Sequence, residues 1–217
     1  SPTALESYAE CPHAYFVRRL LRVEPLEQPE ATISISAADI GTFIHRCMDL
    51  LVRRCDGALP GFGQPWSAQH RELLADIASE LAREFEQVGA TGHPRLWEQE
   101  HRRILADLAF MLDDDDAWRA GLDAEVVASE LTFGKDGAAP VAVPLPGGGR
   151  VLMMGSADKV DRTRSGTVLV TDIKTGSMSR YRQISPEDPV VGGTRLQLPV
   201  YAHAARARLG GTRVQAQ

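Results

Sequence analysis

The 217-residue chain carries 24 lysines and arginines against 29 aspartates and glutamates, a formal net charge of -5, and 43% of its residues are hydrophobic. That length and apolar share are enough to bury an ordinary globular core, which excludes a disordered chain, and the acidic balance excludes a global basic field for nucleic acid, leaving only local arginine clusters or bound cations. Three cysteines, Cys11, Cys47 and Cys55, are too few for a disulfide framework. No apolar run approaches the ~18 residues of a bilayer span, and the N-terminus lacks the pattern of a signal peptide, so the expected setting is cytoplasmic with no membrane partner.

In chain order, the first half reads as helical. "SPTALESYAEC" offers Ser1 or Thr3 as a cap, with Leu5, Tyr8 and Ala9 at helical spacing, and "HAYFVRRLLRV" places Phe16, Leu20 and Val23 along a second short stripe. "SAADIGTFIHRCMDLLVRRC" is the clearest amphipathic helix, with Ile40, Phe43, Ile44, Cys47 and Leu51 as its apolar face. Ser67 to Val88 and Leu96 to Leu112 follow as two longer helices separated by "GATGHP", and the aspartate run 113–116 reads as a solvated loop.

From Glu125 the texture changes to β-branched and alternating residues. "EVVASELTF", "APVAVPL", "GRVLMMGSADKVD" and "TVLVTDIKT", separated by turn signals, predict an antiparallel meander of about four strands. "LQLPVYAHAARARLGG" returns to helix, with Leu196, Val200, Ala204 and Ala207 on one side and Pro199 tolerable only in its first turn. "TRVQAQ" reads as a strand cut short, as in a domain excised from a longer protein. The order gives an α+β or mixed α/β fold with helices packed on one sheet. It is read as a single domain over 1–217, helical across residues 1–120, with a sheet and its following helix over 121–217.

Two apolar strands end in charge, one at Asp158 and the other at Asp172 and Lys174. An exposed ion pair of this kind is worth only ~0–1 kcal/mol. The apolar residues "VLV" and Ile173 around it, however, predict a strand covered on both faces, where enclosed charge is costly unless matched. Residues two apart on a strand share a side, so Asp172 and Lys174 face the same way, and a hairpin would bring Asp158 near them. Two carboxylates ~4 Å apart repel by roughly 4 kcal/mol at an effective dielectric of 20. Together with backbone carbonyls they form a hard oxygen environment that suits Mg²⁺ or Mn²⁺, and with the ammonium they suit phosphodiester hydrolysis.

These segments resemble a known family. "GSADKVDR" and "VTDIKTG" are similar to the two catalytic segments of the RecB-like branch of the PD-(D/E)XK nucleases, with Lys159 where arginine is commoner. "GTFIHRCMDLL" resembles its Gly-x-x-x-His helix through Gly41 and His45, "LQLPVYAHA" its Gln-x-x-x-Tyr helix through Gln197 and Tyr201, and "SPTALESYAECPHAYF" its Cys-Pro start. The resemblance spans nearly the whole chain and implies a restriction-endonuclease-like core, a metal-dependent DNA exonuclease activity and a helicase partner in double-strand-break repair or recombination.

Carried over residue by residue, it implies that Asp158, Asp172, the Ile173 carbonyl and His45 bind Mg²⁺ or Mn²⁺. Lys174 would act on the attacking water, and Gln197 and Tyr201 would position phosphate or the carboxylates. Glu130 is read as a structural charge in preference to an outer ligand. Arg180 and Arg182, in a loop beside this centre, are expected to meet the DNA backbone. In several family members the early cysteine joins a downstream trio to hold a [4Fe-4S] cluster; no trio follows here, so Cys11 is read as a buried thiol, with the cluster reserved for a longer parent chain. A non-catalytic DNA-binding or scaffold module of a helicase-nuclease complex is the alternative function. The related CRISPR adaptation nucleases are a third, against which the missing cysteine trio argues.

Overall fold

The structure is a computed structural model that describes residues 1–24, 33–55, 57–176, 179, 181–211 and 213–217. The helical half begins with α1 (Pro2–Glu10), with Pro2 at its first position, and α2 (Pro12–Tyr15), which runs into one π-helical turn, Phe16–Leu20. Then come α3 (Ala37–Arg54), α4 (Ala68–Gln87) and α5 (Pro94–Leu122). Local chemistry sets the starts: the Ser36 hydroxyl accepts from the Asp39 amide to cap α3, and Ser67 with His70 forms a reciprocal capping box on α4. The expected apolar face of α3 packs with α4 and α5 into one core, in which Phe43 meets Phe85 and Trp97 edge-on.

The second half builds β1 (Ala124–Phe133), β2 (Val141–Pro144), β3 (Arg150–Met153), β4 (Gly155–Thr163), β5 (Val168–Thr171), α6 (Gln197–Leu209) and β6 (Val214–Ala216). The main sheet has the order β1-β4-β5-β6, antiparallel except for the parallel β5–β6 pair, while β2 and β3 form a separate hairpin. The expected meander is therefore interrupted: "GRVLMMGSADKVD" splits between β3 and β4. The chain leaves the sheet at Gly134, whose positive φ lets it pass where a Cβ would lie 2.6 Å from Met154. One face of the sheet packs on α6, where Val160, Val168 and Val170 meet Val200, Tyr201 and Ala204. Pro199 sits in the first turn of α6, as its missing N–H requires.

The largest departure from the sequence reading is at 113–116. These residues are helical, within the 29-residue α5; Asp113 and Asp114 are exposed, whereas Asp115 and Asp116 are half-buried and have partners. Arg119, fully buried, donates to Asp115 at 2.8 Å, to Asp116 at 2.8 Å and to the Gln64 carbonyl, beneath the Trp66 ring. Trp66 adds its indole N–H to Asp115 at 2.7 Å. Lys159 then bridges Asp115 at 2.6 Å and the fully buried Asp161. Burial pushes Asp161 above the usual carboxylate range; at Asp115 the same effect is outweighed by Lys159 and Arg119, which hold it low. The network thus bolts β4 to α5.

Removing one partner from such a network leaves an uncompensated buried charge. Arg119→Met is expected to lower unfolding stability by about 3–5 kcal/mol, read as a fall in the urea midpoint, whereas Arg102→Met on the exposed face of α5 shifts it little.

Candidate metal centre

Alternation along β4 sends Lys159 and Asp161 toward α5 and leaves Asp158 on the side of Val160. Ser129 pairs with Lys159 and Leu131 with Ala157, so Glu130 of β1 falls opposite Asp158. On the other flank Lys159 pairs with Thr171, and one further step along that register brings Asp172 opposite Asp158. Three carboxylates therefore stand in one row across neighbouring strands. β5 itself ends at Thr171, short of the expected charged strand end, but the Asp172 amide still donates to the Gln217 carbonyl at 3.0 Å, which continues the ladder.

Positive and polar groups meet this row. Asp158 accepts from the Ile173 amide at 2.7 Å, and His45 Nδ1 lies 3.6 Å from Asp158 Oδ1 and 3.9 Å from Glu130 Oε1. The other ring nitrogen of His45 is 3.0 Å from the Ile173 carbonyl; a carbonyl only accepts, so Nε2 carries the proton and Nδ1 faces the carboxylates. Lys174 Nζ holds Asp172 at 2.7 and 2.8 Å. Glu130 reaches the cluster from a backbone in the left-handed region, φ 44°, an uncommon state for a residue with a side chain. Ser129 beside it donates to Asp49 of α3 at 2.7 Å, which fixes that helix over β1 and delivers His45.

The electrostatics follow from this geometry. Burial, more than the neighbouring Asp172 and Glu130, drives the Asp158 carboxyl up to about 7 despite His45. Glu130 in turn raises His45, against the opposing effect of burial, and is itself held low by that imidazole. Burial pulls Lys174 down, but Asp172 outweighs it, so the amine is kept as an ammonium. His45, Glu130 and Asp158 each offer a ligand atom, all within 4.8 Å of one another. A donor set of one imidazole and two carboxylates, with a third carboxylate next in the row, fits a divalent cation.

Two glycines of the sequence motifs make this approach possible. A Cβ on Gly41 would lie 3.2 Å from Thr175 Oγ1, so its absence lets α3 come close to the 172–175 segment. A Cβ on Gly155 would lie 2.9 Å from the Phe133 ring and 3.4 Å from that of Tyr201. Tyr201 packs edge-on against Phe133 and accepts from the Gln197 amide at 3.1 Å; burial raises its hydroxyl to about 12, which keeps it a neutral phenol. Glu6 of α1 caps α6 from outside, accepting from the backbone amides of Leu196 and, at 3.0 Å, Gln197.

The cluster opens on two cavities. His45 and Glu130 line one of about 460 Å³; Asp172, Ile173 and Lys174 line another of about 820 Å³, walled by Ile44, Met48 and Phe110. Among the other expected residues, Arg182 is exposed in the loop after Lys174, and Arg180 lies outside the described residues. Cys11 is exposed, in contrast to the buried thiol expected, because it occupies the junction of α1 and α2, where its sulfur caps α2 by accepting from Ala14. Cys47 and Cys55 are buried in the helical core.

A profile of the PD-(D/E)XK nuclease superfamily matches residues 1–217, and the chain belongs to that superfamily. It is 33% identical over 232 residues to an ATP-dependent helicase/deoxyribonuclease subunit from Symbiobacterium thermophilum, covering 100% of this chain and 18% of that protein. A counterpart of the same name in Desulforudis audaxviator is 31% identical over 220 residues, 94% of this chain and 17% of the relative. The chain spans less than a fifth of the length of these relatives. No helix among the described residues is long and apolar enough to cross a membrane.

The tight contact at Gly41 makes a separable prediction. Gly41→Ala gains about 1 kcal/mol of helix propensity while pushing Thr175 away, so thermal stability changes little but Mn²⁺ affinity, measured calorimetrically, falls severalfold. An affinity equal to wild type would show that the close approach does not shape the centre.

Proposed function

We propose that the chain is a Mg²⁺-dependent DNA exonuclease domain, acting with a helicase in double-strand-break repair or recombination. The observation that carries this reading is the convergence of Asp158, Glu130 and His45 beside the Asp172–Lys174 pair. Supporting it are the superfamily membership and the relatives named as ATP-dependent helicase/deoxyribonuclease subunits.

In this reading His45 Nδ1, Asp158, Asp172 and Glu130 would hold the cation, while the Ile173 carbonyl, in place of the ligand role the resemblance implies, accepts from His45 Nε2 on the far side of the ring and orients the imidazole. The bound ion supplies a Lewis acid for a phosphoryl oxygen and lowers the pKa of water. The chain's own residues supply orientation and charge. Lys174, kept cationic by Asp172, directs an ammonium toward the attacking water and the charge that develops on phosphate. Gln197 and the neutral Tyr201 offer donors on one face of α6 for a backbone phosphate. Glu130, assigned from sequence to a structural role, becomes a ligand because its left-handed backbone aims it at His45.

Asp172→Ala and Lys174→Ala are each expected to lower Mg²⁺-dependent degradation of linear DNA by about 100-fold or more. Asp172→Ala should also weaken Mn²⁺ binding, which Lys174→Ala should leave largely intact. Cleavage at the wild-type rate in both variants would overturn the assignment. Release of end nucleotides from linear DNA, with closed circles untouched, tests the exonuclease mode.

A further inference from the structure

The N-terminal arm presents a surface the proposed chemistry does not use. Tyr8 and Phe16 are 54% and 47% exposed, far more than the core role their apolar spacing suggests. The Tyr8 ring meets Tyr15 edge-on, with centroids 5.5 Å apart. From Cys11 to Val23 the sequence has three arginines, Arg18, Arg19 and Arg22, and no carboxylate, in a chain whose net charge is -5. All three are exposed, and none makes an ion pair with a carboxylate among the described residues.

The arm is also placed beside the centre. Glu6 caps the start of α6, and Glu10 pairs with Arg195 at 2.7 Å, so α1 is latched to the turn that carries Gln197 and Tyr201. Glu6 lies close enough to influence the Tyr201 hydroxyl, as do Asp158 and Asp172.

Resting on the nuclease reading, we propose that this arm is a single-strand platform: bases of an unpaired DNA strand stack on Tyr8 and Phe16 while Arg18, Arg19 and Arg22 hold its phosphates, feeding the strand toward α6 and the centre. Exposed rings on the same short arm as arginines that make no ion pair among the described residues match unstacked bases and phosphates together. Duplex DNA would engage only the arginines, since its bases are already stacked on one another.

The test measures fluorescence anisotropy of labelled oligothymidylate and of a duplex of equal length, with EDTA present to prevent cleavage, on the 217-residue chain. Tyr8→Ala/Phe16→Ala is expected to bind the single strand about tenfold or more weakly and the duplex within about twofold of wild type. Replacing the three arginines with serine should weaken both and reduce the salt slope for the single strand by about two. If the alanine pair misfolds by circular dichroism, Tyr8→Leu/Phe16→Leu, which keeps apolar volume without the rings, carries the same expectation. Wild-type single-strand binding by the ring variants, or an equal loss on duplex, overturns the platform, including in favour of a protein-docking role for the arm. Cleavage of the same oligonucleotide with Mg²⁺ is followed in parallel. Wild-type cleavage with ring-independent binding rejects the platform alone, whereas ring-dependent binding without cleavage in any divalent metal rejects the nuclease reading alone.

Discussion

Glu130, Asp158 and Asp172 stand side by side across three adjacent segments of one sheet, and neighbouring strands are only ~4.8 Å apart. At that spacing two carboxylates repel by roughly 3 kcal/mol at an effective dielectric of 20. Such a row does not assemble for the sake of stability. It persists because the surrounding structure fixes it: the strand registers set its alignment, the Ile173 amide and His45 meet Asp158, and Lys174 neutralises Asp172. What remains is a half-buried carboxyl, Asp158, that burial and its neighbours hold back from ionising, and whose charge a divalent cation would compensate.

The same strand carries a second, opposite device. On the α5 side of β4, Lys159 and Asp161 are sealed into a network with Asp115, Asp116 and Arg119. A well-packed apolar cluster would stabilise that position as well or better. A charged network accepts fewer registers, however, because a one-residue slip would carry Lys159 to the other face and leave Arg119 alone with two half-buried aspartates. Fixing β4 in this way fixes Asp158, one residue away and facing the opposite direction. Stability on one side and charge placement on the other are thus two consequences of a single strand alternation.

The features that sequence reveals are those set by local chemistry. The helix α3, its apolar face and the span of α4 follow from spacing and composition, as does the burial of "VLV" in β5. The pairing of Asp172 with Lys174 follows from a two-residue separation. What is not legible depends on partners distant in the chain. Asp115 and Asp116 read as solvated because Lys159 and Trp66 are far away in sequence, and the left-handed backbone of Glu130 leaves no trace in "ASELTF". Glu6 looks like an ordinary helix-surface acid, yet it caps a helix 190 residues further on. The exposure of Cys11 is hidden for the same reason: thiol burial is a tertiary property, and its position between two short helices decides it. For Asp115, Asp116 and Glu6 a long-range contact overrides what composition suggests.

The central claim is that the carboxylate row and His45 form one cation site. Anomalous diffraction from crystals grown in Mn²⁺ tests it most directly. The account predicts a peak within coordinating distance of Asp158, His45 Nδ1 and at least one of Glu130 and Asp172. Manganese bound elsewhere on the chain, with these side chains still in their metal-free arrangement at saturating concentration, would contradict it.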